Sequence, residues 1–189
     1  MSRQAFKIAF IGSHGVGKTT LCYGLAARLK ALDFSLDFVG EVARRCPLPI
    51  NRGTTLAAQA WILHTQIAEE LLATERHEVV ICDRSVLDNL VYLILSAGSQ
   101  PALDGLVNHW LSTYDLLILV PILDDPSADG LRSTDPIFQR EVQRRLTEEI
   151  DHRNLEVVDL SGTERDQWLD LVEETVLRHL KPQTQLELL

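Results

Sequence analysis

The chain has 189 residues, 46% of them apolar and 24% charged, an ordinary composition for one globular domain. No apolar run approaches the roughly 18 residues of a membrane span, and the opening MSRQAFKIAF turns polar too soon for a signal peptide. A net charge of −9 argues against a protein held to nucleic acid by phosphate contacts, which needs a basic face.

Strand-like and helix-like stretches alternate along the chain. Phe6 to Ile11 reads as a buried strand ending at Gly12. From Lys18 to about Leu32, Leu21, Leu25 and Leu29 recur at helical spacing. Ser35 to Val39 reads as a second strand, followed by Gly40 and Glu41 and by a loop carrying Pro47, Pro49 and Gly53. Thr54 or Thr55 can cap a long helix reaching about His77. Glu78 to Cys82 has the two-sided apolar character of a central parallel strand. Helices are predicted from about Val86 to Ala97 and from Pro101 to Ser112. Asp115 to Ile122 is a fourth strand, Leu155 to Leu160 a fifth, and Glu164 to Leu180 the last helix. The alternation predicts an α/β fold, a parallel sheet with helices on both faces. Residues 1–181 are expected to form a single domain, residues 124–153 a lid over the sheet's carboxyl edge, and 182–189 a frayed tail.

Gly12-Ser13-His14-Gly15-Val16-Gly17-Lys18-Thr19 matches G-x-x-x-x-G-K-S/T, and it follows a strand and opens a helix. The glycines let the backbone turn with positive φ and approach oxygen atoms closely. Successive N–H groups at a helix N-terminus then form a nest for an anion. Lys18 supplies a mobile charge for the outer phosphates, and the Thr19 hydroxyl can ligate Mg²⁺. A glycine turn that merely caps a helix would account for the glycines. It would not account for a lysine placed against the positive end of the helix dipole. The side chain of His14, at a variable position of the loop, is read as incidental.

In parallel α/β sheets ligands bind beyond the carboxyl ends of the strands. Asp83, Arg84 and Ser85 follow the third strand, and Asp83 is a candidate Mg²⁺ ligand. Capping of the next helix is the structural alternative for Asp83 and Ser85. Glu41 follows the second strand and can accept a proton from a substrate hydroxyl, with Arg44 and Arg45 as candidate anion forks. In the lid, Arg132, Arg140, Arg144 and Arg145 stand against only Asp135 and Glu141 between residues 131 and 145. Arginines there can neutralise charge on a transferring phosphoryl group; the alternative is a solvated, salt-bridged helix. Cys22, Cys46 and Cys82 form no C-x-x-C pair, as expected of reduced thiols in a cytoplasmic protein.

The loop GSHGVGKTT, the sequence CDRS after the third strand and the lid DGLRSTDPIFQREV resemble the AAA-type ATPase and kinase-like P-loop family. That group is related to thymidylate kinases, deoxynucleoside kinases and nicotinamide riboside kinases of the NadR type. The resemblance covers nearly the whole chain. It implies a three-layer P-loop core with five parallel strands in the order 2-3-1-4-5 and an arginine-bearing lid. It implies ATP with Mg²⁺, and ATP contacts from Gly12, Ser13, His14, Gly15, Val16, Gly17, Lys18, Thr19 and Thr20, with Arg140 and Arg144 from the lid. Asp83 and Arg84 match the acid–arginine pair of nucleoside and nucleotide kinases, and Glu41 matches the acid after the second strand of deoxynucleoside kinases. Ser85 departs from thymidylate kinases, where an aromatic residue or histidine follows Asp-Arg. The expected activity is transfer of the ATP γ-phosphate to a small-molecule acceptor, a nucleoside or a nucleotide. Lys18, Glu41, Asp83, Arg84 and Arg132 would be the catalytic groups, with Thr19 and Asp83 at the metal. The competing expectation is an NTPase that acts through a protein partner.

Overall fold

The computed structural model describes residues 5–50, 54–122 and 135–180. In chain order the elements are β1 (Phe6–Ile11), α1 (Lys18–Ala31), β2 (Leu36–Val39), a 3-10 turn (Val42–Arg45), α2 (Leu56–Thr74), β3 (Val79–Asp83), α3 (Val86–Ala97), α4 (Pro101–Leu111), β4 (Leu116–Leu119), α5 (Pro136–His152), β5 (Val158–Asp159), a second 3-10 turn (Arg165–Gln167) and α6 (Trp168–Leu180). The strands pair in the order β2-β3-β1-β4-β5, and every pairing is parallel. This is the five-stranded order that the resemblance implied.

Strand alternation divides the core into two layers. Ile8, Phe10, Val79, Ile81, Ile118 and Val120 face α1 and α6. Ala9, Ile11, Val80, Cys82, Leu117 and Leu119 face the helices α3, α4 and α5 on the other side, with Leu63 and Ala73 of α2. With β1 central, the phosphate-type loop, Glu41 and Asp83 all emerge at the carboxyl edge of neighbouring strands.

Several boundaries differ from those the sequence predicts: α2 ends at Thr74, α6 begins at Trp168 after a 3-10 turn, and two strands are cut short. β4 closes at Leu119; Val120 still donates to Ile11 O, and Pro121 then has no N–H to continue the ladder. β5 is cut to two residues at the sheet edge, because Leu155 N–H turns back to Ile150 O to close α5. The helix that the sequence assigned to the lid is built into the core. Val142, Leu146 and Ile150 recur every four residues and are buried against the α3 layer. Of the lid, residues 124–134 lie outside the described residues, and Arg132 with them.

Candidate functional site

The glycine loop takes its shape from backbone that other residues resist. Gly12 has φ +143°, and a Cβ built there would lie 2.6 Å from the carbonyl oxygen of Val120. Gly17, the N-cap of α1, is left-handed at φ 97°. The loop is fastened from outside by α5. Ser13 N–H donates to Gln143 Oε1 (2.9 Å), Ser13 Oγ donates to Gln139 O (2.9 Å), and Gln139 Nε2 donates to His14 O (2.7 Å). Gly12 N–H donates to Asp88 Oδ1 (3.1 Å), an acid that also closes the capping box of α3 with Ser85.

Lys18 is buried and donates to the carbonyls of Gly12 (2.8 Å) and Ser13 (2.5 Å). Burial, helped by the nearby Arg84 charge, pulls its ammonium down to about 7, against the opposing pull of Asp88, Asp83 and Glu41. The Thr19 hydroxyl donates to Asp83 Oδ2 at 2.5 Å. The second oxygen, Asp83 Oδ1, is buried and has no hydrogen-bond partner among the described residues. A hydroxyl beside a carboxylate with an unsatisfied buried oxygen is the donor set that a hard cation such as Mg²⁺ takes.

Arg84 lies behind the cleft. Its backbone is left-handed at φ 95°, which costs a non-glycine residue about 1–3 kcal/mol. Its Nε donates to Glu41 Oε1 at 2.9 Å, one Nη reaches Gly12 O at 3.5 Å, and the guanidinium sits 5.1 Å from the centre of the Tyr92 ring. Burial opposes the charge, but Glu41, Tyr92, Asp88 and Asp83 outweigh it and raise the group above its ordinary value. Burial is also the main force raising the Asp88 carboxyl and the Tyr92 phenol. Glu41 is pinned at both oxygens, since Arg44 Nε donates to Oε2 at 2.9 Å.

Gly15, Gly17, Lys18, Thr19, Thr20, Glu41 and Asp83 line one cleft of about 630 Å³ with Tyr23, Phe38, Gly40, Arg44, Arg45 and Glu69. Tyr23 and Phe38 meet with ring centres 4.8 Å apart, and Arg45 is ion-paired to Glu69. Gly12, Ser13, His14 and Val16 form the buried back of the loop. The structure does not bring Arg140 or Arg144 to the lining. Arg140 is exposed on α5, and Arg144 is held on the outer face of that helix by Glu141 and Glu148. The residues of α5 that hydrogen-bond to the loop are Gln139 and Gln143, one helical turn apart, and Phe138 stacks on the His14 ring at 6.0 Å. Sequence reading passed over them, and over Tyr92. Asp88 was findable, three residues after Ser85 in the pattern of a capping box.

A family described as an AAA domain matches residues 7–167. The chain belongs to that AAA domain family. Solved structures that share the fold of this AAA domain include the following two. A NadR protein, solved in complex with NR, superposes with a TM-score of 0.72 at 22% identity, over 90% of this chain and 51% of the NadR chain. A thymidylate kinase from Ehrlichia chaffeensis superposes with a TM-score of 0.63 at 17% identity, over 94% of this chain and 98% of the kinase. The chain thus spans about half the length of the NadR protein. No curated protein matches the sequence. Among the described residues, no helix is long and apolar enough to cross a membrane.

Proposed function

We propose that this AAA domain transfers the γ-phosphate of ATP to a hydroxyl of a small, nucleoside-like acceptor. One observation carries the reading: the glycine loop with Lys18 and Thr19, and the acid Glu41 with the aromatic pair Tyr23–Phe38, open into the same cleft. An NTPase without an acceptor has no use for the second half of that cavity. The loop from Gly12 to Thr20 would cradle the triphosphate through its N–H groups, and Lys18 would leave the carbonyls of Gly12 and Ser13 for the outer phosphates. Thr19 and Asp83 would hold Mg²⁺, which neutralises charge on the phosphates when bound. An acceptor hydroxyl bonded to Glu41 would give up its proton to that carboxylate as it attacks. Arg84 keeps Glu41 in place, and Arg132 would meet the charge on the transferring group.

Within the acceptor half, Arg44 and Arg45 are both committed to acids of the wall, Glu41 and Glu69. A phosphate on the acceptor would have to break those pairs, so an uncharged acceptor is favoured over a nucleotide. Transfer from radiolabelled ATP should be screened over nucleosides, nucleotides and nicotinamide riboside. Labelled product with an uncharged acceptor is expected. Release of inorganic phosphate alone with every acceptor would overturn the kinase reading in favour of an NTPase that works through a protein partner.

A further inference from the structure

Beneath the cleft lies a charged cluster that the proposed reaction does not use. Lys7 occupies a β1 position whose neighbours on the same face, Ala5, Ala9 and Ile11, are core residues. Its ammonium meets Glu70 Oε2 at 2.8 Å and Thr113 Oγ1 at 2.5 Å, and lies 4.6 and 4.5 Å from the ring centres of Trp110 and Tyr114. Glu70 is fully buried and accepts from four donors. Lys7 Nζ and Trp110 Nε1 (2.7 Å) bond Oε2; Gln66 Nε2 (2.8 Å) and Tyr114 OH (2.6 Å) bond Oε1.

The two oxygens lead to different places. The donors on Oε2 belong to β1 and α4. Both donors on Oε1 go on to the turn that follows β3. Gln66 Nε2 also reaches the carbonyl oxygen of Arg84 at 3.4 Å, and the Tyr114 oxygen accepts from Val86 N–H at 3.1 Å. Between those contacts stands Arg84, at φ 95° and not a glycine. Such a residue persists only where its surroundings fix it from several sides. Its own N–H is fixed by Phe10 O at 3.1 Å; its carbonyl and the N–H two residues on are fixed from Glu70.

We propose that Glu70 is a positioning residue: through Gln66 and Tyr114 it holds the turn at residues 84–86, with its left-handed Arg84, and so sets Asp83 at the cleft and Arg84 behind it. The expected effect on turnover rests on the kinase reading above; the effect on the turn itself does not.

Tyr114→Phe and Trp110→Phe provide the matched test. Each removes one donor from the same carboxylate, but only the first removes a contact to the turn. In Tyr114→Phe, amide exchange over residues 84–88 should speed up at least tenfold relative to the amides of β1, and kcat should fall about tenfold or more with the ATP KM changed less than twofold. Trp110→Phe should leave both ratios at the wild-type level, even if its thermal midpoint drops. Equal effects of the two variants on exchange, or none from Tyr114→Phe, would overturn the proposal. Should Tyr114→Phe not fold, Gln66→Met cuts the arm to the Arg84 carbonyl and is expected to give the same local exchange; its absence would overturn the proposal equally. Wild-type protein that transfers no phosphate would refute the kinase reading alone, because the exchange ratio is read without turnover.

Discussion

Binding of a triphosphate should draw a proton onto Lys18. In the free protein burial lowers this ammonium from 10.5 to about 7. At pH 8 about one-tenth of the molecules then carry the proton. A triphosphate beside the ammonium returns it toward its ordinary range, because opposite charge at close range favours the charged form. Uptake should therefore be about 0.5 proton at pH 7 and about 0.9 at pH 8, fading near pH 10 and above. Affinity should fall about tenfold per pH unit across the window from about 7 to 10.5, since the charged lysine grows scarce in the free state while the complex keeps it. Calorimetric titration of a non-hydrolysable ATP analogue at pH 8, in buffers of different ionisation enthalpy, counts the protons. The same titration of Lys18→Met subtracts those exchanged by the nucleotide and other groups. A difference between the two proteins near zero would refute the reasoning. The same shift has a sign for folding. The folded value lies below the unfolded one, so Lys18 destabilises the free protein fully below about pH 7. That penalty fades as pH rises toward 10.5, and this contribution to stability climbs through the same window.

Two glycines separate clash from backbone strain. Gly98→Ala meets open space at φ +76° and should cost about 1–3 kcal/mol from backbone strain alone; Gly12→Ala meets Val120 O and should cost about 1–3 kcal/mol more by urea denaturation, and equal losses would contradict the close approach. Leu146→Ala should destabilise by about 2–5 kcal/mol if α5 is a core helix, whereas Arg144→Ala, on the same helix but facing outward, should leave the urea midpoint where it is; similar midpoint shifts would return α5 to the role of a detachable lid. Tyr23→Ala should raise the acceptor KM about three- to tenfold, from roughly 0.5–1.5 kcal/mol of lost ring contact, and leave the ATP KM unchanged in steady-state assays; a rise confined to ATP would move the aromatic pair out of the acceptor half.

What the sequence disclosed is what is written locally. The glycine loop carries its geometric demand in adjacent residues, and Asp83 and Glu41 follow from one rule about strand ends. Both lie where that rule puts them. The core packing of α5 was hidden for a physical reason. Its charge count suggests a solvated strap, yet Val142, Leu146 and Ile150 were present at helical spacing, and three apolar residues on one stripe outweigh exposed arginines that pair among themselves. Gln139 and Gln143 could not be read, because neutral amides that fasten a distant loop belong to no motif. The pair Lys7–Glu70 is separated by 63 positions in the chain, and no local pattern links a lysine inside a strand to a glutamate inside a helix.

The fastening of the glycine loop by two glutamines has a practical outcome. Side-chain amides carry no net charge, so neither added salt nor a change of pH alters their grip. The Lys18 ammonium inside the cradle, by contrast, responds to both. The amide clasp on Ser13 and His14 therefore holds across ionic strengths and acidities, whereas Gly12 hangs on the Asp88 carboxylate, so trends in nucleotide affinity with either variable trace to charged groups such as Lys18 and Asp88 and not to the clasp.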